Sequence, residues 1–422
     1  MLRSLLQNTT ARQSGVLFVA QIVNAVLGLG ITVANTRLLS VDDFGIFSFV
    51  TSTALFIGWF FDFGLFAAGS RLMAVMPESP GRSNERKLAG ALVVLTGGVS
   101  IVFGVCIVLL SFFIDDIFTS HIGGFLLILS PMMALFPFQG MLTMMFRGSN
   151  QIGKLAAHTI LPRLLFFCAV GVIVLTGELS LLLSLTLYFG TLAVSIVVIV
   201  LVSRPSFTDV RDRMRHIVKE IREYGIHIYS GTIVDNLTTG SDKLVISYFL
   251  GATQVGYYSV AQTIVLPISM IARAIETSVF KRFASLERIP RKIFIINTLW
   301  ILALAGTILI GNQWIIRFVF SEKYDTIRTI VPVLVCGMVF NGLNQIYHSY
   351  FSARRLGKYM RNISIVTSTL NVAADIILIP IWGLMGAAVA DLVTCVLDHG
   401  ISRYYYRQYR RGGSVTPYHH ET

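Results

Sequence analysis

Ionisable side chains fall inside long apolar stretches of this chain at Asp62, Arg163, Asp235, Asp242, Lys243, Arg273, Glu276, Asp375, Asp391 and Asp398. A charge at the centre of a membrane helix costs about 2.5–3.5 kcal/mol, so such a group normally faces water or a partner. Arg163, Lys243 and Arg273 could hold an anion, and the planar donor fork of arginine suits phosphate oxygens. Asp235, Asn236, Asp242, Asn371 and Asp375 could exchange hydrogen bonds with hydroxyl groups. At 3.6 residues per turn, Asp235, Asn236, Thr238, Thr239, Asp242 and Lys243 fall within roughly 160° of one helix. Gln262, Ser269, Arg273 and Glu276 share an arc of about 60° on the next. Ser364, Ser368, Asn371 and Asp375 follow i, i+4, i+7, i+11 spacing on a third. Three polar stripes on apolar helices imply a wet interior wall. Local pairing is the competing explanation, because Arg273 and Glu276 stand i, i+3 and Asp242 abuts Lys243.

The elements that position these groups are transmembrane helices. Of the 422 residues, 54% are hydrophobic and 13% charged, and the mean hydropathy is +0.72. Runs such as Leu92 to Ile114 and Leu179 to Val202 have the roughly 20 apolar residues that span a bilayer core. Apolar windows predict an all-α membrane protein with twelve helices, near 15–36, 45–70, 88–114, 122–146, 155–176, 179–202, 225–250, 255–280, 293–316, 328–352, 361–382 and 384–406. The first is too long for a secretory signal and lacks a small-x-small cleavage site, so it reads as a retained helix.

The net charge of +12 reflects topology. Of the 34 Lys and Arg residues, 27 fall at the amino terminus, in the even-numbered loops and in the tail. Only Arg37, Arg317, Lys323 and Arg328 fall in or beside the odd-numbered loops. That asymmetry places both termini in the cytoplasm and argues against nucleic-acid binding. The loops on the other side are short and leave no room for a catalytic domain there. Cys106, Cys168, Cys336 and Cys395 stand singly within apolar segments, without metal-ligand spacing, and no nucleotide-binding loop follows Gly28 or Gly30. No cofactor and no metal is expected.

The two halves align at an offset of 211 residues. Leu39-Ser40-Val41-Asp42-Asp43-Phe44-Gly45-Ile46-Phe47-Ser48 matches Leu250-Gly251-Ala252-Thr253-Gln254-Val255-Gly256-Tyr257-Tyr258-Ser259. Six-helix lobes over 1–202 and 225–422 would then share one orientation, joined by a basic cytoplasmic linker over 203–224. Such lobes would be related by an axis along the membrane normal, as in transporters that rock one lobe against the other. Gly45 and Gly256 suit tight turns between antiparallel helices, and Gly383, Gly386, Ala387 and Ala390 form a small-residue packing face. The offset also pairs Asp62 with Arg273. These two, with Glu276, are candidates for an inner gate; the alternative is that Asp62 caps local backbone while Arg273 pairs with Glu276.

The segment Arg37 to Phe47 resembles the first loop of polysaccharide flippases in the multidrug/oligosaccharidyl-lipid/polysaccharide exporter superfamily. Asn371, Asp375 to Pro380 and Gly383 to Ala390 resemble that family's last helical hairpin. The resemblance implies a flippase carrying undecaprenyl-pyrophosphate-linked oligosaccharide from the cytoplasmic to the periplasmic leaflet of a bacterial inner membrane. It also implies a place in O-antigen, capsule or exopolysaccharide synthesis, beside a polysaccharide polymerase and chain-length machinery. Arg163, Lys243 and Arg273 would then meet the pyrophosphate, while Asn and Asp groups bind sugar hydroxyls. The rival readings are an ion-coupled drug exporter of the same superfamily and a membrane-embedded polysaccharide-processing enzyme.

Overall fold

A computed structural model describes residues 9–76, 82–354 and 356–411, with side chains described except at 9–14, 176, 234–239, 277–278, 280–282 and 284–285. The described residues contain helices and connectors and no strand. In chain order the helices are α1 (Thr9–Leu38), α2 (Val41–Trp59), α3 (Leu65–Val75), α4 (Ser83–Ile117), α5 (Gly123–Met133), α6 (Phe136–Gly148), α7 (Ile152–Thr176) and α8 (Leu181–Ser203). They continue with α9 (Val210–Glu220), α10 (Ile226–Leu250), α11 (Ala252–Ser285), α12 (Arg291–Trp314), α13 (Val331–Ala353), α14 (Gly357–Trp382) and α15 (Leu384–Arg411).

Helix occupies each of the twelve expected segments. Among the described residues, ten helical segments are long and apolar enough to cross a membrane, or eleven if Glu322–Thr329 and Val331–Ala353, bent by 62°, form one span. The 25-residue α10 has the length, but its polar run from Asp235 to Lys243 keeps it below that composition. Leu175 and Ile310 are 87% and 86% exposed. Large aliphatic side chains turned outward along long helices mark a surface solvated by lipid rather than water.

The chain divides into two compact units, Met1–Gly256 and Tyr257–Thr422. In the first, Ser40 caps α2 by accepting the Asp43 backbone N–H at 3.0 Å, and its hydroxyl donates to Asp43 Oδ2 at 2.7 Å. Asp42 and Asp43 sit in that helix's first turn, where the dipole favours acids. The expected second span is not continuous. Phe63 and Gly64 have φ of +46° and +75°, and this left-handed step separates α2 from α3. The backbone of Gly64 lies directly against that of Gly225, which leaves no space for a Cβ.

The basic linker is largely a helix lying on this unit. The apolar side of α9 faces inward, with Ile217 fully buried among Leu88, Met145 and Ile199. Burying one such side chain contributes about 1.5–3 kcal/mol. On its polar side, Arg71 meets Glu220 at 2.7 Å and Lys87 meets Asp209 at 2.7 Å. α10, counted from the sequence with residues 225–422, packs against α2 within the first unit: Tyr229 donates to the Phe60 carbonyl at 2.7 Å and Gly240 lies under Trp59.

Gly45 and Gly256 are not turn residues. Both lie inside helices, α2 and α11, whose backbones touch there: a Cβ on Gly256 would sit 2.9 Å from Gly45 Cα. Of the expected small-residue face, Gly386, Ala387 and Ala390 are buried on α15, whereas Gly383 lies before the helix with φ of +59° and belongs to the turn from α14. Gly386 lies against the Leu378 carbonyl of α14. In the second unit, Asn297 donates to the Gly342 carbonyl at 3.1 Å and Asn344 to the Cys395 carbonyl at 3.1 Å, tying α12 to α13 and α13 to α15.

Candidate functional site

The helices of the first unit line a partly open cavity of about 510 Å³. Its walls carry two guanidinium groups, Arg147 and Arg163, and one carboxylate, Asp62. Asn24, Gln139, Thr143, Thr159 and Thr191 add amide and hydroxyl groups, and Trp59, Phe66, Phe136, Phe166 and Tyr188 add aromatic surface. The cavity is therefore cationic, hydrogen-bonding and aromatic at once.

Local sequence explains the placement of each group. Gln139, Thr143 and Arg147 recur at i, i+4, i+8 and so form one stripe along α6. Thr159 and Arg163 do the same on α7. Arg163 reaches across to α1, donating to the Asn24 carbonyl at 2.6 Å. Gly28 makes this possible, since a Cβ there would meet the Arg163 guanidinium at 2.5 Å. That contact uses one of five guanidinium donors and leaves the others for a ligand. Asp62 stands at the break between α2 and α3, where its Oδ1 accepts the Phe66 backbone N–H at 2.9 Å and caps α3. His158 is 2% exposed on α7; its Nε2 pairs with the Gln139 carbonyl at 3.1 Å and its Nδ1 has no hydrogen-bond partner. Asn24 Oδ1 is likewise buried without one.

Of the residues singled out in the sequence, the structure brings Arg163 and Asp62 to this one cavity. Asp242 is buried on α10 beside Lys243. Asp235 and Asn236 lie outside the described side chains. The other candidates belong to the second unit. Arg273 and His348 are neighbours of Glu276, and His348 donates to Asp398 at 3.0 Å. The α14 stripe is buried, with Ser368, Asn371 and Asp375 at 9%, 3% and 1% exposure. Asn371 hydrogen-bonds Asp391, which also accepts from the Tyr258 hydroxyl at 2.5 Å.

Sequence reasoning missed Asn24, Gln139, Thr143, Arg147, His158, Thr159 and Thr191. The α6 stripe is legible in its spacing, but its one charge, Arg147, belongs by position to the basic residues that set topology. Among the described residues no cluster of three or more His, Cys, Asp or Glu side chains could hold a metal ion.

Comparison with known proteins agrees with this architecture. The sequence matches the polysaccharide biosynthesis protein family over residues 10–287. It is 25% identical over 414 residues to "Probable flippase AglR" of Haloferax volcanii, covering 92% of this chain and 81% of that one. It is 25% identical over 187 residues to "Putative O-antigen transporter" of Shigella flexneri; that match spans 43% of this chain and 45% of the relative's length. The solved structure "Lipid II flippase MurJ, inward closed conformation" superposes with a TM-score of 0.73 at 16% identity, covering 93% of this chain and 87% of that one. At that identity the match speaks for the fold.

Proposed function

This chain belongs to the polysaccharide biosynthesis protein family, and on that footing we propose that it is a flippase for lipid-linked oligosaccharides. The observation that carries the reading is a cavity inside a lipid-facing helical bundle with Arg147 and Arg163 on walls otherwise amide, hydroxyl and aromatic. A diphosphate needs charge-assisted donors, and guanidinium forks supply them in matched geometry. Sugar rings need hydrogen-bonding groups for their hydroxyls and flat apolar surfaces for their C–H faces. Gln139, Thr143 and Thr191 offer the first, and Trp59 and Phe136 the second. A binding cavity of several hundred Å³ is in the range of small-molecule sites, so the diphosphate and the first sugars would sit inside while the polyprenyl tail stays in lipid.

In this account the protein has twelve spans with both termini in the cytoplasm of a bacterial cell. Two six-helix lobes alternate access to the substrate, an undecaprenyl-pyrophosphate-linked repeat unit. Its product passes to polysaccharide polymerase and chain-length machinery. The names of its relatives, a flippase and a transporter, favour transport over enzymatic processing. Deleting the gene tests the reading: a lipid-linked repeat unit should accumulate on the inner leaflet. Unchanged surface polysaccharide with no accumulation would overturn it.

A further inference from the structure

A second pocket, of about 280 Å³, opens at the basic end of the first unit, and its lining shares no residue with the cavity described above. It lies where α4 and α7 begin and α8 ends. Arg82, Arg86, Lys154 and Arg204 surround it, with Glu85 as the single carboxylate. Glu85 is already engaged. It accepts from Gln151 Nε2 at 3.0 Å and faces Arg82 at 3.8 Å. Arg86 spends its Nε on the Arg204 carbonyl at 2.8 Å. Among the described residues, neither Lys154 nor Arg204 has a carboxylate within ion-pair distance, and Lys154 stands close enough to Arg82, Glu85 and Arg86 to feel all three charges, two of them positive. Four cations held around one occupied carboxylate leave an excess of positive charge that a ligand would relieve.

The shape of the pocket identifies the ligand class. Beside these charges, Met73, Met145, Phe146 and Val202 give the pocket an apolar lining. Free phosphate has no use for such a lining, but the glycerol and first methylenes of a lipid do. The helix ends that frame it are also the ends of membrane spans, so the rim stands at headgroup depth. Basic pockets between transmembrane helices on the cytoplasmic side are where acidic headgroups bind. We propose that this pocket is a binding site for the phosphate of an anionic phospholipid, distinct from the transport cavity and independent of what that cavity carries.

The test uses the purified full-length protein in nanodiscs containing either phosphatidylglycerol or only phosphatidylcholine. Phosphatidylglycerol should raise the melting temperature and compete for a fluorescent anionic lipid, and salt should weaken both effects. Each near-surface cation is worth about 1 kcal/mol, so binding of the anionic lipid should fall roughly fivefold for Lys154→Gln. It should fall further for Lys154→Gln with Arg204→Gln, while stability in phosphatidylcholine stays at the wild-type level. Arg82→Gln, on the exposed rim, gives a second variant that leaves packing intact, and Lys154→Arg should retain binding. Equal response to the two lipids, or full binding by both Arg82→Gln and Lys154→Gln, would overturn the site. Displacement of the lipid by equimolar inorganic pyrophosphate would show a soluble-phosphate site and overturn the lipid assignment.

Discussion

Thr253 donates a hydrogen bond to Asp42 at 2.6 Å, and the two residues stand 211 positions apart. That is the offset at which the two halves of the sequence align, so these are equivalent positions in the proposed repeat. Three residues further on, Gly45 and Gly256, also 211 apart, meet backbone to backbone. If the repeat holds, equivalent residues can touch only beside the axis that would relate the halves. The short motif shared by the halves is therefore best explained as a contact surface, which selects for glycine through space rather than through turn geometry.

Gly256→Val should consequently damage the protein more than loss of the adjacent hydrogen bond. Overpacking a tight contact costs about 1–3 kcal/mol, and a single exposed hydrogen bond contributes about 0.5–1.5 kcal/mol. Thermal melting in detergent should place Gly256→Val well below wild type and Thr253→Val close to it. The reverse order would refute the contact argument.

Arg163 should be required for transport and dispensable for folding. Arg163→Gln removes a hydrogen-bonding charge of the kind worth about 1.5–3 kcal/mol, so complementation of a deletion strain should fall at least tenfold. Arg163→Lys should recover only part, because an ammonium lacks the fork. Gly28→Leu should reproduce the Gln phenotype without touching the charge, by displacing the guanidinium from its seat over α1. Normal export in Gly28→Leu would show that the position of Arg163 does not matter.

Charge asymmetry predicts the topology. A reporter fused after Gly251 should be periplasmic and one after Arg411 cytoplasmic. A periplasmic reporter at the second position would remove the basis for twelve spans.

The docking of α9 should weaken in acid. Lys87, hydrogen-bonded to Asp209, holds that carboxyl below its ordinary value, and Arg213 adds to the effect. A lowered carboxyl contributes its stabilisation above the ordinary value of about 3.9, and loses it as pH falls through the lowered value. Amide exchange in Val210–Glu220, corrected for its intrinsic pH dependence, should therefore show protection that is steady above pH 5 and falls below about pH 4. Asp209→Asn should flatten that profile. An unchanged profile in the variant would mean that the Lys87–Asp209 pair is not what gives the docking its acid sensitivity.

Much of this was legible in the sequence, and the misses have physical reasons. Apolar run length located the helical segments because the bilayer fixes how long they must be. The break after Trp59 carried its own signal, since Asp62-Phe63-Gly64 combines a helix-capping acid with the residue that tolerates positive φ, inside a window that hydropathy smooths over. Residues 210–221 carry Val210, Met214, Ile217 and Ile221 at four- and three-residue spacing, but Arg211, Arg213 and Arg215 between them give the segment the composition of a charged loop. The polar face of α6 was equally periodic. What sequence could not supply was which faces meet: that Arg163 would lie against Gly28, 135 residues away, depends on how α1 packs on α7.

The most direct measurement of the central claim is leaflet transfer by the purified protein. Proteoliposomes loaded with a polyprenyl-diphosphate-linked oligosaccharide would be probed from outside with an enzyme that modifies only exposed glycans. Wild-type protein should expose the inner pool well above the rate in empty liposomes, and Arg163→Gln, folded and inserted to the same extent, should not. Equal exposure with and without protein, or undiminished exposure with Arg163→Gln, would contradict the account.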